Sequence, residues 1–416
     1  MNLPRKPTDM TLPETEIQIA QHIRAQQSAM EIRLADMVAI PTGHDFSQGL
    51  NSMRVSLAAR LRSMGAQVVE MAAAQRPTWI TPNDRGEIGS PTLVARKLQG
   101  RGGPTLLIAG HMDTVHDPAG DFQTLSPLNH PRATGPGAAD MKGGLEVALS
   151  ALEALEKFAP SVRWIFIINA DEEAGSFRSA EHLASVAKEC DAGFVLEPAL
   201  PNGGLVVERL GSGQFMIDVL GRAAHSGRDF ANGISAVNTL AQCVLQVAGM
   251  TDLKRQRIVN IGPLQGGAAT NIVADHARAW GNIRFANSQD GQQLSGEIQA
   301  MASGDAAHLP QITIQMAVNR PAKPCTQAVS QLALMAQSVA KDLGFDLATG
   351  STGGVSDANL IQAAGVPCLD GLGVRGGNLH RGDEFIELDS LSERATLLAL
   401  LLLRVSADDT KKIARG

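Results

Sequence analysis

The sequence predicts an α/β protein in which a mostly parallel sheet, flanked by helices, is interrupted by a smaller inserted α+β unit. Three observations support this class. Up to about residue 205, short apolar runs alternate with segments whose apolar residues recur at helical spacing. The order of elements then changes to β-α-β-β-α-β, and after residue 321 the first pattern resumes. We therefore predict a main domain in two parts, 1–205 and 322–416, with an inserted domain at 206–321.

The composition is that of an ordinary globular protein and argues against several classes. Of the 416 residues, 44% are hydrophobic and 19% are charged, and the formal net charge is -6. This balance argues against a broad basic face for nucleic acid, and no run reaches the roughly 20 apolar residues of a membrane span. The four cysteines show no paired spacing, so we predict free thiols. The sequence shows no secretory signal, and we therefore predict a cytoplasmic protein.

The elements of the main domain follow from the spacing of apolar residues and from the Gly and Pro residues between runs. We predict helices within 12–40 and over 52–64, 140–157 and 179–188, and strands over 67–71, 93–98, 105–110, 164–170 and 193–196. The strands over 93–98 and 105–110 are predicted to be neighbours, because a short Gly- and Pro-containing turn separates them. After the insertion we predict helices over 328–343 and 357–364 and from Ser390, with a Gly-rich loop over 350–354.

The inserted unit has a different order of elements. We predict strands over 215–220, 258–261, 274–285 and 312–318, and helices over 233–247 and 292–302. Their order, β-α-β-β-α-β, is typical of a ferredoxin-like fold. The segment 321–324, which contains two prolines, marks the return to the main domain.

Residues that can bind metal stand at the ends of several predicted strands. The set is His111 and Asp113, Asp140, Asp171 to Glu173, Glu197, and His380 with nearby Asp383 and Glu384. Each alone has an ordinary explanation, such as a hydrogen-bonded structural histidine, an N-cap aspartate or a solvated acidic loop. Together they come from segments that an α/β sheet brings to one edge, where ligands bind. Mixed imidazole and carboxylate sets suit Zn²⁺, Co²⁺ or Mn²⁺, and their number favours two divalent ions with a bridging carboxylate.

Five motifs, in order along the chain, resemble those of one family. They are Gly110-His-Met-Asp-Thr114, Gly137-Ala-Ala-Asp-Met-Lys-Gly-Gly144, Asp171-Glu-Glu-Ala-Gly-Ser176, Leu196-Glu-Pro198 and Leu379-His380. They are similar to motifs of the di-zinc metallopeptidase family of glutamate carboxypeptidase, aminoacylase, acetylornithine deacetylase and succinyl-diaminopimelate desuccinylase. The pattern is most like that of bacterial glutamate carboxypeptidase. The resemblance covers nearly the whole chain and implies a zinc-peptidase-like catalytic domain with an inserted dimerisation domain.

The resemblance implies a role for each residue of the cluster. The implied metal ligands are His111 and Glu197 for one zinc, Glu173 and His380 for the other, and Asp140 between the two ions. Glu172 would be the general base, and Asp113 would orient the imidazole of His111. Adjacent residues on an extended segment point in opposite directions, so we expect Glu172 and Glu173 to face different partners.

The resemblance also implies substrate contacts from the inserted domain and from a late loop. His225 would stabilise the tetrahedral oxyanion, in its own active site or in that of a partner subunit. Asn271 and Arg284 would bind a substrate carboxylate, for which the forked guanidinium of arginine is suited. Gly353 and Gly354 would line the substrate pocket. His225 could equally be a surface histidine in a turn, and Arg284 an exposed strand residue.

We therefore predict a metal-dependent hydrolase that cleaves the amide bond between an acyl or N-terminal group and an amino acid with a free carboxylate, in the manner of glutamate carboxypeptidase. The alternative is an N-acyl-amino-acid deacylase of the acetylornithine deacetylase or succinyl-diaminopimelate desuccinylase type. A third hypothesis is a binding protein that keeps the fold without catalysis, although all the candidate ligands and the candidate base are present. The resemblance implies a homodimer, and we expect a small-molecule or dipeptide-like substrate and no nucleic-acid or membrane partner.

Overall fold

A six-stranded sheet forms the centre of the main domain. The structure, a computed structural model, describes residues 12–43, 46–82, 89–100 and 102–407. In chain order the strands are β1 (Gln67–Met71), β2 (Thr92–Lys97), β3 (Thr105–His111), β4 (Ser126–Pro127), β5 (Arg132–Thr134), β6 (Arg163–Asn169), β7 (Ala192–Val195), β8 (Leu205–Arg209), β9 (Gly211–Leu220), β10 (Ala224–His225), β11 (Ile258–Gly266), β12 (Ile272–Val273), β13 (His276–Phe285), β14 (Ser303–Asp305), β15 (His308–Arg320), β16 (Thr349–Thr352), β17 (Cys368–Leu369), β18 (Gly376–Gly377) and β19 (Phe385–Glu387).

The helices cover both faces of this sheet and one face of the inserted sheet. They are α1 (Glu14–Ala25), α2 (Gln27–Val38), α3 (Ser47–Ser63), α4 (Gly143–Phe158), α5 (Ala180–Ala187), α6 (Ala236–Ala248), α7 (Ser288–Gln299), α8 (Gln327–Asp342), α9 (Asp357–Ala363) and α10 (Ser390–Ala407). The predicted helical segment within 12–40 is thus two helices, and α3 begins at Ser47 rather than at the predicted Ser52. No helix in the described part of the chain is long and apolar enough to cross a membrane.

The main sheet has the order β1-β2-β6-β3-β7-β17 and is parallel from β6 to β17. The predicted α/β class is therefore confirmed. The predicted pairing of β2 with β3 is wrong, because β6 lies between them and hydrogen-bonds to both. An uninterrupted apolar strand such as β6 is stable where both of its faces are covered, which a central position provides.

Alternate side chains of β6 enter two separate cores. Trp164, Phe166 and Ile168 pack with residues of α1, α4, α8 and α10 on one face of the sheet. Ile165 and Ile167 pack with residues of α5 and α9 on the other face. All five side chains are fully buried. Because successive strand residues point to opposite faces, this one strand anchors both helical layers and holds its carboxyl end in a defined place.

The inserted unit is a five-stranded antiparallel sheet with the order β11-β13-β9-β15-β14. Phe215 and Ile217 of β9 pack with α6 and α7 on one face. Ser212 and Gln214, at alternate positions of the same strand, lie on the other face and line a cleft toward the main domain. The β-α-β-β-α-β order predicted from the sequence is present, with short additional strands.

β8, most of which lies within the predicted inserted domain, has its strand partners in the main domain. β8 pairs in parallel with β16 of the returning chain, and Val206 forms an isolated bridge with Asp370. β8 therefore packs with elements of the main domain, because its partners come from the part of the chain after the insertion. We propose bounds of 211–320 for the inserted unit in place of 206–321.

Candidate metal centre

Three neighbouring strands deliver candidate ligands to one edge of the main sheet. His111 is the last residue of β3, Glu172 and Glu173 follow β6, and Glu197 follows β7. These strands are parallel and adjacent in the order β6-β3-β7, so their carboxyl ends lie side by side. His380 reaches the same edge from the segment between β18 and β19.

Asp140 enters the cluster from the turn that precedes α4. The predicted helix begins at Gly143, three residues after Asp140, because residues 138–142 form a wide turn in which Asp140 has φ -115° and ψ 91°. A Cβ on Gly144 would lie 2.2 Å from the carbonyl oxygen of Leu196. The helix start therefore packs directly against the residue before Glu197, and this close approach brings Asp140 beside the end of β7.

The carboxylate of Asp140 lies between the two imidazoles. Its Oδ1 is 3.4 Å from Nε2 of His111, and its Oδ2 is 3.4 Å from Nε2 of His380. The Nε2 atom of His111 is also 3.8 Å from Oε1 of Glu197. The Nε2 atom of His380 is 3.3 Å from Oε2 of Glu173. The structure thus groups the five side chains as two pairs around one shared carboxylate, as the resemblance implies.

The cluster fits divalent cations on the evidence of its own atoms. His111 Nε2 and Glu173 Oε1 are buried and have no hydrogen-bond partner in the described part of the chain. Ligand atoms of His111, Asp140 and Glu173 lie within 4.8 Å of one another. Burial and then the charge of Asp140 raise the pKa of Glu197, and burial raises that of Glu173 to about 8. Such clustered carboxylates are costly without a neutralising cation, and the imidazole and carboxylate set suits zinc.

Asp113 connects the two strand ends. Nδ1 of His111 is 2.9 Å from the backbone carbonyl oxygen of Asp113 and 3.4 Å from its Oδ1. The carboxylate of Asp113 also accepts hydrogen bonds from the backbone N–H groups of Glu172 (3.3 Å) and Glu173 (2.9 Å). The nearer partner of the imidazole is thus the carbonyl, whereas the carboxylate holds the acidic turn. An Nδ1–H bonded in this way leaves Nε2 free to face a metal.

Glu172 lies between the cluster and the inserted domain. One of its carboxylate oxygens is within 4.8 Å of ligand atoms of His111 and Glu197. Its Oε1 accepts a hydrogen bond from Nη2 of Arg320 at 2.5 Å. Arg320 is the last residue of β15 and is 1% exposed. Arg320 is not among the site residues predicted from the sequence. The sequence feature that could have identified it is its position directly before Pro321, where the chain leaves the insertion.

Arg320 has a neighbour of the same charge on the inserted sheet. Ser212 of β9 pairs with Arg284 on one side and with Arg320 on the other, so the three side chains share one face. We call these three residues the arginine face. Nη1 of Arg284 and both Nε and Nη1 of Arg320 are buried without hydrogen-bond partners among the described residues. Burial and then the charge of Arg320 lower the pKa of Arg284. Unused buried guanidinium donors suit a carboxylate.

Residues of the metal cluster and of the arginine face line one cleft of about 800 Å³. Gly354 also lines this cleft, with Gly353 next to it in the chain. His225 and Asn271 do not line it. They lie together on the short β10–β12 ribbon, where the backbone N–H of Ser226 donates to the carbonyl oxygen of Asn271 at 3.0 Å, and both side chains are exposed. Within a single chain, the structure therefore leaves these two predicted site residues outside the cleft.

Known proteins are similar to this chain in sequence and in fold. Residues 107–404 match the model of peptidase family M20/M25/M40. The chain is 26% identical over 391 residues to carboxypeptidase G2 of Pseudomonas sp. (strain RS-16), covering 92% of this chain and 90% of that protein. It is 27% identical over 346 residues to succinyl-diaminopimelate desuccinylase of Methylobacterium radiotolerans, covering 78% and 86%.

Solved structures agree with the sequence matches. A Bacillus subtilis protein described as a dinuclear metal binding peptidase of family M20 superposes with a TM-score of 0.63 at 16% identity, covering 92% of this chain and 99% of that one. At this identity the likeness supports the fold. The family match, in contrast, spans most of the chain and includes every segment of the cluster. This protein therefore belongs to peptidase family M20/M25/M40 and is an enzyme of the peptidase and amidohydrolase class.

Proposed function

We propose that this enzyme cleaves the amide bond between an acyl or N-terminal group and an amino acid with a free carboxylate, in the manner of a glutamate carboxypeptidase. The observation that carries the proposal is the position of Asp140 between two ligand pairs, with Glu172 beside them in the cleft. The residues that would hold two divalent ions, zinc or alternatively cobalt or manganese, are His111, Asp140, Glu173, Glu197 and His380. When bound, the ions would supply Lewis-acid activation of the water and of the amide carbonyl.

Glu172 is the proposed general base. Its carboxylate reaches both the cluster and the open cleft, so it can accept a proton from the attacking water and deliver that proton to the leaving nitrogen. Asp113 keeps the acidic turn in place through the two backbone N–H groups that it accepts. His225 is the proposed hydrogen-bond donor to the oxyanion, contributed by a partner subunit.

The arginine face supports a substrate with a free carboxylate. Arg284 and Arg320 line the same cleft as the cluster, and both have buried donors without a partner in the described chain. A carboxylate between two such groups would gain charge-assisted hydrogen bonds. We propose that a partner subunit contributes Asn271 together with His225. Gly353 and Gly354 would shape the adjacent wall of the cleft.

A deacylase of the desuccinylase type is the second candidate, because a desuccinylase matches at an identity similar to that of carboxypeptidase G2. A panel of dipeptides and folyl glutamates, set against N-acetyl and N-succinyl amino acids, separates the two. The glutamate-carboxypeptidase proposal expects release of C-terminal glutamate by the metal-loaded enzyme. Preferential release of acetate or succinate would favour the deacylase, and no turnover of any substrate by fully metal-loaded protein would favour a binding protein.

We also propose a homodimer formed through the inserted domain, in the cytoplasm. β11 is an edge strand of the inserted sheet, and its Leu264 is 59% exposed. Open edge strands invite pairing with another chain, and two-fold pairing is the commonest symmetry of oligomers. Sedimentation of the purified protein would give the mass of a dimer, and that of a single 43.8 kDa chain would contradict this proposal.

A further inference from the structure

Glu384 is a buried carboxylate that touches three of the segments on which candidate ligands lie. It is 1% exposed and follows His380 by four positions. Its Oε1 accepts hydrogen bonds from the backbone N–H groups of Ala139 (2.8 Å) and Asp140 (3.0 Å). Its Oε2 accepts a hydrogen bond from the backbone N–H of Gly137 at 3.2 Å and is 2.7 Å from Nε2 of His116. The side chain thus bonds the segments that support the cluster, and it is not among the residues that line the cleft.

These contacts use the whole acceptor capacity of the group. A carboxylate accepts at about four lone-pair positions, and here three backbone N–H groups and one imidazole occupy them. The backbone carbonyl of Glu384 also accepts from the N–H of Gly135 (3.1 Å) and from Oγ1 of Thr134 (2.7 Å). His116 belongs to the segment that follows His111, Gly137 to Asp140 form the bridging turn, and Glu384 continues the segment of His380.

We propose that Glu384 is a positioning residue that sets the spacing of the two metal positions. The inference rests on the proposed metal site and assigns to it a residue that binds neither metal nor substrate. Asp140 has a non-helical backbone conformation in a wide turn before α4. Three hydrogen bonds to one carboxylate, from Gly137, Ala139 and Asp140, hold that turn against the His380 segment. Loss of the carboxylate would leave buried N–H groups unsatisfied and would let the shared ligand move relative to both imidazoles.

The test compares Glu384→Ala with Asp389→Ala, an acid five positions further along the chain. Asp389 is exposed and bonds Arg375. Apparent affinities for Zn²⁺ and Co²⁺ are measured by competition with a chromophoric chelator, and bound metal is counted by elemental analysis after dialysis. We expect about a 10–100-fold loss of affinity in Glu384→Ala and wild-type affinity in Asp389→Ala. Glu384→Gln, which keeps one carbonyl oxygen, should lie between them.

A second readout separates positioning from general loss of structure. The Co²⁺ absorption spectrum reports ligand geometry, so we expect altered bands in Glu384→Ala even at saturating metal. If Glu384→Ala fails to fold, His116→Phe removes the contact with the His111 segment alone and should lower affinity by about 3-fold. Wild-type affinity and an unchanged spectrum in a folded Glu384→Ala would overturn the inference. A wild-type protein that binds no metal would instead overturn the proposed function itself.

Discussion

The metal cluster and the arginine face line the same cleft, but they are assembled by different means. Each candidate ligand comes from its own segment, at a strand end or in a loop, and the order of β6, β3 and β7 brings these segments together. The arginine face comes from three adjacent antiparallel strands, in which Ser212 pairs with both Arg284 and Arg320. A shift of one residue in that register would turn an arginine to the opposite face of the sheet. The cluster thus depends on topology, and the arginine face on register.

Arg320 joins the two regions. Its Nη2 donates to Oε1 of Glu172, and the residue also lines the cleft. The comparison therefore predicts three classes of effect. Changes at Glu172 should affect chemistry, changes at Arg284 should affect substrate binding, and changes at Arg320 should affect both.

The largest effect is expected from Glu172→Ala. Loss of the general base should lower kcat by about 10²–10⁴-fold, because no other group would accept the proton of the attacking water. Bound metal and the affinity for a substrate-like inhibitor should stay at wild-type values, since both regions keep their other residues. Steady-state kinetics, elemental analysis and calorimetry measure the three quantities. Turnover within a few-fold of wild type would remove Glu172 from the mechanism.

His225→Ala tests whether the cleft is completed by a partner. Loss of an oxyanion donor should lower kcat by about 10²-fold. Subunits of His225→Ala and Glu172→Ala, mixed in equal amounts and allowed to exchange, should recover about a quarter of wild-type activity, because half of the dimers then contain one intact site. If the mixture remains as inactive as its components, while exchange is verified by mass, His225 does not act across the dimer.

Arg320→Met should reduce kcat/KM by about 10²-fold, with changes in both kcat and KM. The substitution removes a buried charge partner of Glu172 as well as a charged residue that lines the cleft. Michaelis–Menten analysis on the best substrate of the panel measures both constants.

Two matched variants interpret the Arg320 result. Arg284→Met should raise KM about 10-fold with little change in kcat, since Arg284 has no contact with Glu172 among the described bonds. Arg278→Met is the control. Arg278 lies on the same strand as Arg284 but pairs with Asp218, so its substitution should leave kcat and KM unchanged. Equal effects of Arg320→Met and Arg284→Met on kcat would mean that the contact with Glu172 has no kinetic role.

The smallest expected effect is a pH dependence of the free energy of unfolding of the metal-free protein. Burial raises the pKa of Glu173 to about 8 from an ordinary value near 4.5, so between these values the folded state holds a proton that the unfolded state has released. The free energy of unfolding should therefore fall as pH rises from about 5 to 8, by on the order of 2 kcal/mol. In the metal-loaded enzyme cations replace the proton, and this slope should disappear. Urea unfolding of chelator-treated and metal-reconstituted protein at several pH values measures this dependence. Equal slopes of unfolding free energy against pH in the two forms would contradict the prediction.

The sequence predicted the metal cluster, whose residues lie at strand ends and in loops, more completely than the arginine face, whose residues are brought together by strand register. His111, Glu173 and Glu197 could be selected because an acid or an imidazole directly after a short apolar run is visible in the sequence. Arg320 could not, because nothing local shows that it pairs with Ser212 or that Glu172 would meet it. The prediction that β2 and β3 are neighbours failed for the same reason. β6, which separates them, lies more than fifty residues further along the chain than β3.

By itself, the sequence determined the types of the elements, their order, the family, and the chemical kinds of the candidate ligands. These follow from periodicity and short motifs, which depend on residues close together in the chain. The tertiary structure alone decided the conformation of the turn that carries Asp140, the contact between Arg320 and Glu172, and the convergence of three segments on Glu384. Those features depend on which distant segments pack together, and packing is set by the burial of both faces of the sheet as a whole.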